Sequence, residues 1–285
     1  MSVNPLGIHA LVWVGGWSPS DCELAMSSSA ALGFDILEIP AFDPTSMDAE
    51  MTRSMAEKYG LTPTISLGLT HESDINSEDP ATIERGRDTL MAALDFARAI
   101  GSPYLGGVIF GALARYTAPT TERARQNSAA VIRELGQEAA KDGITIGLEF
   151  VNRYESNLLN TAQQTLDYLD IVGEDNVLVH ADVYHMNIEE QGYRTPILAC
   201  GDRLGYVHVG ESHRGYLGTG TIDFPEFFGA LRDIEYSGPV TFESFSSAVV
   251  DRHLSNTLAI WRNLWSDGAD LAEQARDFIR TGLAG

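Results

Sequence analysis

The chain has 285 residues, 44% of them hydrophobic and 21% charged, and a formal charge of −21 at pH 7. This composition excludes a fibre or a disordered chain and supplies a substantial apolar core. So acidic a surface repels phosphate backbones, which argues against nucleic-acid partners, and no apolar run reaches the ~18 residues that span a bilayer.

The opening stretch, MSVNPLGIHALVW, lacks the basic start and small-residue cleavage site of a secretory leader, so the expected compartment is the cytoplasm. Its GIHALVW reads as a first strand carrying His9 and Trp13. From there one junction recurs: an amphipathic stretch, a glycine, then a short apolar run. It is AALGFDILEIP at Gly33, EKYGLTPTISL at Gly60, RAIGSPYLGGVIF at Gly101 and AKDGITIGLEF at Gly143. It returns as IVGEDNVLVHAD at Gly173, DRLGYVHV at Gly205 and EYSGPVTFES at Gly238. A glycine just past a helix supplies the left-handed cap, and the run after it has strand length. Eight strands alternating with helices imply parallel pairing and a closed α/β architecture, a (β/α)₈ barrel. With no Pro/Ser-rich linker, residues 1–285 read as a single domain with a C-terminal helical extension. Cys22 and Cys200 stand far apart without a CxxC pattern, as buried thiols of a reducing compartment do. Lys58 and Lys141 are the only lysines, each at a helix end before a glycine, which disfavours Schiff-base chemistry.

Strand parity points to chemistry. In ITIGLE, Ile144, Ile146 and Leu148 share the face assigned to the helix layer, and Thr145, Gly147 and Glu149 point into the barrel. The same alternation turns Asp182, His208 and Glu243 inward at the ends of the next three strands, the rim where barrel enzymes keep their active sites. A single rim carboxylate usually caps a loop or pairs with an arginine. Three carboxylates converging from consecutive strands repel one another, and a divalent cation resolves the conflict. Three hard oxygen donors and one imidazole suit Mn²⁺, Co²⁺ or Mg²⁺.

The segments GLEFVNRYESN (Gly147–Asn157), HADVYHMNIEE (His180–Glu190), VHVGESHRGYLGTG (Val207–Gly220) and FESFSS (Phe242–Ser247) resemble the ketose 3-epimerases. That family comprises the D-tagatose, D-allulose and L-ribulose 3-epimerases, on a xylose-isomerase-like barrel. The resemblance implies that Glu149, Asp182, His208 and Glu243 bind the metal, commonly Mn²⁺ or Co²⁺ in this family. It implies that Glu149 and Glu243 are the acid/base pair, one on each face of C3, and that Glu155, His185 and Arg214 anchor the C1–O2 end of a free ketose. On residue type alone, His185 reads equally as a packed or capping histidine, and Glu155 is unremarkable. The glycine-rich loop around Arg214 suggests a phosphate cradle only weakly. His9 and Trp13 are expected to wall the sugar site. The sequence departs from the D-tagatose enzyme in GIHALVW and in FGALARYTAPT, which lacks a tryptophan found there, and GESHRGYLGTG and IWRNLW are nearer the D-allulose and L-ribulose branch.

His71, His213 and His253 read as solvated or capping, and His180 as a residue of the barrel's inner layers. IWRNLW (Ile260–Trp265) puts two tryptophans and two aliphatics on one late helix, so a homodimer or homotetramer is expected, with burial of that face against the barrel as the alternative. Rival functions on the same barrel are an aldose–ketose isomerase, an inosose dehydratase and a 3-keto-glycoside lyase. A non-catalytic metal-bound sugar-binding protein is the rival from another class.

Overall fold

The computed structural model describes residues 4–41, 43–250 and 252–285, apart from the side chains of His253, Leu254 and Thr257, so the reading of His253 lies outside the description. Eight parallel strands close into one barrel in chain order: β1 (Leu6–His9), β2 (Ile36–Pro40), β3 (Thr62–Leu69), β4 (Tyr104–Ala112), β5 (Thr145–Glu149), β6 (Val177–Asp182), β7 (Leu204–Val209) and β8 (Val240–Phe242). Around them run α1 (Pro19–Ala31), α2 (Ala49–Tyr59), α3 (Pro80–Ile100), α4 (Glu122–Ala140) and α5 (Ala162–Val172). Then come α6 (Val183–Glu189), α7 (Arg194–Cys200), α8 (Phe224–Asp233), α9 (Arg252–Thr257) and α10 (Gly268–Ala284).

Local signals set these boundaries. Ser18 and Asp21 form a reciprocal capping box ahead of α1, with Pro19 in the first turn. At α3 the Asp79 side chain accepts the Ala81 and Thr82 N–H groups, again with a proline, Pro80, in the first turn. The expected left-handed glycines end α2 at Gly60 (φ 70°) and α3 at Gly101 (φ 74°), and Gly33, Gly143 and Gly173 share that conformation. Gly205 and Gly238 differ. Gly205 lies inside β7, where a Cβ would press on the Leu178 side chain, and Gly238 lies under the Tyr236 ring; the left-handed residue of that junction is Glu235. Helix α10 completes the helical ring: Phe278 packs on Phe224 and Phe228 of α8, and Arg276 and Arg280 donate to the carbonyls of Leu32 and Gly33 behind α1.

Two expected elements come out otherwise. Strand β1 stops at His9, because the His9 Nδ1 accepts the Leu11 N–H (3.2 Å) and starts a 3₁₀ turn over Ala10–Val12, which takes Trp13 off the strand. Ile260–Trp265 is an irregular link between α9 and α10 rather than a helix. Trp265 is buried, its indole N–H donating to Ser244 Oγ (2.8 Å), whereas Trp261 is 72% exposed. The single apolar helix face on which the oligomer expectation rested is therefore absent.

Between sheet and helices lies an aliphatic layer that includes Ile8, Leu37, Ile65, Ile146, Leu148 and Val207. The barrel interior is aromatic and polar. Tyr104 stacks on Tyr206 (centroids 4.1 Å apart), Thr241 Oγ1 donates to the Tyr206 hydroxyl (2.8 Å), and the Tyr104 hydroxyl bonds His180 Nδ1 (2.9 Å). Gly106 and Gly147, paired across β4 and β5, make room for the Tyr104 ring; a Cβ at either position would overlap its hydroxyl. That ring is pinned by its stack and its bond to His180. Gly147→Ala is therefore expected to destabilise the protein by about 1–3 kcal/mol, the usual range for overpacking, read as a lowered urea midpoint. An unchanged midpoint would mean the interior yields around Tyr104.

Candidate active site

Parity and register place the predicted cluster. Glu149 ends β5, paired with His180; Asp182 ends β6, paired with His208 of β7; Glu243 follows β8, its N–H donating to the Val209 carbonyl (3.0 Å). One ligand atom from each of Glu149, Asp182, His208 and Glu243 lies within 4.8 Å of the others, and all four residues are buried. His208 Nδ1 is 3.3 Å from Glu149 Oε1 and 3.7 Å from Glu243 Oε1. Asp182 Oδ1 accepts the Tyr184 N–H (2.8 Å) and so caps α6, whereas its buried Oδ2 has no hydrogen-bond partner among the described residues. Three buried carboxylates, one with an oxygen that makes no hydrogen bond, gathered beside an imidazole nitrogen fit a divalent cation.

The substrate candidates separate. Arg214 forms ion pairs with Asp182 Oδ2 (3.2 Å) and Glu243 Oε2 (2.7 Å), and its guanidinium lies over the Tyr184 ring (3.9 Å to the centroid). It holds this place from a left-handed backbone (φ 59°), a strained conformation for a non-glycine residue. Its loop is tied down by buried Glu211, which accepts the N–H groups of Ser212 and Gly218, so the glycines serve a carboxylate of the chain itself. His185, one turn after Asp182, accepts from the Asn152 backbone N–H and side-chain amide at Nδ1 (3.2 and 2.9 Å). Burial pushes its pKa down to about 3, so it is neutral, with its proton on Nε2, 3.6 Å from Asp182 Oδ2 and 3.9 Å from Glu149 Oε1. Half-buried Glu155 accepts from Asn152 Nδ2 (2.8 Å), and burial raises its pKa.

Two cavities share Phe245 and Leu258 in their walls. The outer one, of about 220 Å³, is lined by Glu155, Tyr184, Arg214 and Trp261, and the inner one by His9, Ser66, Val108, Glu149 and Glu243. His9 thus belongs to the site, neutral because burial lowers its pKa to about 4. Trp13 does not line either cavity: its indole N–H donates to Ser29 of α1 (2.9 Å) and its ring lies against Gly268. His213 caps its own loop by accepting the Gly215 N–H, exposed His71 stands edge-on to Tyr116, and His180 lies in the inner layer against His208.

Two residues of the site were missed in the sequence. Phe245, within FESFSS, stands between the two cavities. Glu38 on β2 is wholly buried and bonds His208 Nε2 at 2.8 Å; its inward parity in ILEIP was the available signal.

Comparison with known proteins gives the site its family. The xylose isomerase-like TIM barrel family matches residues 27–281. An L-ribulose 3-epimerase of Methylomonas sp. (strain DH-1) is 50% identical over 274 residues, covering 96% of each chain. A ketose 3-epimerase of Arthrobacter globiformis is 45% identical over 278 residues, 98% of this chain and 96% of that one. This chain belongs to the ketose 3-epimerases. A crystal structure of the D-allulose 3-epimerase from Methylomonas sp. in complex with D-allulose superposes with a TM-score of 0.96 at 48% identity, over 99% of this chain and 98% of that one. The chain is thus an isomerase of carbohydrates, an epimerase on the barrel described above.

In this epimerase burial and mutual repulsion favour protonation of the clustered groups. Burial, with Glu243 and Asp182 adding repulsion, pushes Glu149 up to about 7, against the pull of His208. Burial opposes a charge on His208, but Glu38, Glu243 and Glu149 outweigh it and raise its pKa well above the usual imidazole value. A cation held there would need both groups deprotonated, so it would compete with protons and bind more tightly as pH rises through neutrality. Calorimetric titration of the metal-free protein with Mn²⁺ in buffers of different ionisation enthalpy is expected to show release of about one to two protons per ion at pH 7. Binding without proton release would place the ion elsewhere.

Proposed function

We propose that this chain epimerises a free ketose at C3 with a divalent cation held by Glu149, Asp182, His208 and Glu243, Mn²⁺ foremost and Co²⁺ or Mg²⁺ as substitutes. The observation that carries this reading is the approach of Glu149 and Glu243, from β5 and β8, to one nitrogen, His208 Nδ1, at 3.3 and 3.7 Å. Two carboxylates meeting at one point from separate strands can bracket a carbon set between them. When bound, the cation would supply Lewis-acid stabilisation of the negative charge that develops on O2 as C3 loses its proton.

The chain's own groups do the rest. One glutamate removes the C3 proton as a carboxylate while the other, protonated, returns a proton to the opposite face of the enediolate; their roles exchange in the reverse reaction. A Glu149 carboxyl poised at about 7 changes state readily at working pH. Neutral His185 offers its Nε2–H, and Arg214 and Glu155 line the outer cavity, where they would hold the C1–O2 end of the sugar. Arg214 already faces two carboxylates, and the protein carries a charge of −21, which favours an unphosphorylated substrate. A ketose of the D-allulose or L-ribulose type agrees with the names of its relatives.

Chelation is expected to abolish turnover of a panel of free ketoses, and Mn²⁺ or Co²⁺ to restore it, with the C3 epimer identified by chromatography. The melting temperature should rise with added cation, since only the folded chain gathers these carboxylates. Full activity in metal-free protein would sink the metal-dependent reading, and an aldose product would make the enzyme an isomerase between C1 and C2.

Replacing Glu149 or Glu243 by Gln leaves one oxygen for the cation but no proton carrier. Each variant is expected to lose about 10²–10⁴-fold in kcat, with a smaller loss in Mn²⁺ affinity. In D₂O a one-sided variant should exchange the C3 proton of unconverted substrate without inverting the centre. Wild-type rates in both variants would require another base.

A further inference from the structure

A further carboxylate approaches the ligand cluster from the opposite wall of the barrel. Glu38 sits in the middle of β2, its backbone in register with His9 on β1 and Thr64 on β3. None of it reaches solvent, and neither strand nor helix requires an ionisable group there. A charge so placed is costly unless matched, and its partner is specific: Glu38 Oε2 accepts from His208 Nε2 at 2.8 Å. Glu38 Oε1 has no hydrogen bond among the described residues, and His9 Nε2 lies 3.8 Å from it.

An imidazole has two nitrogens, and in His208 they look in opposite directions. Nε2 faces Glu38, while Nδ1 faces Glu149 and Glu243 at 3.3 and 3.7 Å. An ionised carboxylate only accepts, so a neutral ring facing it carries its proton on Nε2 and its lone pair on Nδ1. Rings of His180 (4.1 Å) and Tyr206 (5.8 Å) stand edge-on to the His208 ring and limit its rotation, but neither selects between the nitrogens. Glu38, at 2.8 Å, favours the proton on Nε2; Glu149, at 3.3 Å, is the weaker rival at Nδ1, and a cation bound by that carboxylate would remove it as an acceptor.

We infer that Glu38 is a positioning residue that holds the His208 proton on Nε2 and so presents Nδ1 as the nitrogen ligand of the divalent cation. The inference rests on the metal-dependent reading above and adds to it which nitrogen binds and what directs it. The pairing also raises the basicity of the ligand nitrogen, as carboxylate partners of metal-bound histidines do.

Two measurements test it. The first needs no variant: ¹⁵N NMR of the His208 ring in the wild-type protein loaded with diamagnetic Mg²⁺. A protonated Nε2 coupled to its hydrogen, with Nδ1 shifted by the added ion, is the expected result; a proton on Nδ1, or an ion-induced shift at Nε2, would overturn the assignment. The second is Mn²⁺ titration of Glu38→Gln, which keeps the size of the side chain and removes its charge. Mn²⁺ affinity is expected to fall about 10–100-fold. Affinity equal to wild type, with only a lower melting temperature in the metal-free protein, would reduce Glu38 to packing and overturn the inference alone. A wild-type protein that binds no divalent ion would remove the metal-dependent reading and this inference with it.

Discussion

Like charges forced together inside a closed barrel are the constraint on which the rest of this molecule turns. Glu149, Asp182 and Glu243 are buried at one end of the sheet with Glu38 close by, and each makes its neighbours harder to ionise. The chain answers with two basic groups of its own. His208 stands among three of the carboxylates, and Arg214 faces Asp182 and Glu243 from the loop above. Arg214 reaches them from a left-handed backbone, and buried Glu211 fastens the loop that keeps it there. Strain in one residue is thus offset by the electrostatic need of several.

The apparatus stands on a floor unlike the oil-filled interior of many barrels. Tyr104, Tyr206, His180, Thr64 and Thr241 fill the space beneath the cluster with rings and hydroxyls bonded to one another. Stacking and hydrogen bonds hold these rings in place, and they support the carboxylates from below. Glycines at 106 and 147 are part of that floor, because their missing side chains admit the ring of Tyr104.

Much of this was legible in the sequence because it obeys short periods. A glycine after each amphipathic stretch and an alternation of two within ITIGLE suffice to place Glu149, Asp182, His208 and Glu243 on one rim. What escaped depends on contacts that no period encodes. Trp13 leaves β1 because the ring of His9 takes the Leu11 N–H, a choice between extended and 3₁₀ backbone that one side chain decides. Ile260–Trp265 carries the spacing of an apolar helix, yet Trp265 is fixed by Ser244, far back in the chain, and the segment follows that bond instead. Glu38 had the right parity, but an inward glutamate between Leu37 and Ile39 acquires meaning only when the barrel closes and brings β2 across from β7.

Strand β8 is only three residues long, and Glu243 lies just beyond it, whereas Glu149 is the last paired residue of β5. The ladder with β6 grips Glu149, while Glu243 is tied back through its own N–H to Val209 as the chain departs toward Phe245 and the loop that follows. Two side chains of identical chemistry therefore have unlike mechanical support. The backbone of one is held within a ladder and that of the other at its very end, with Arg214 gripping the side chain instead, so the two halves of a chemically symmetric pair are anchored by different means.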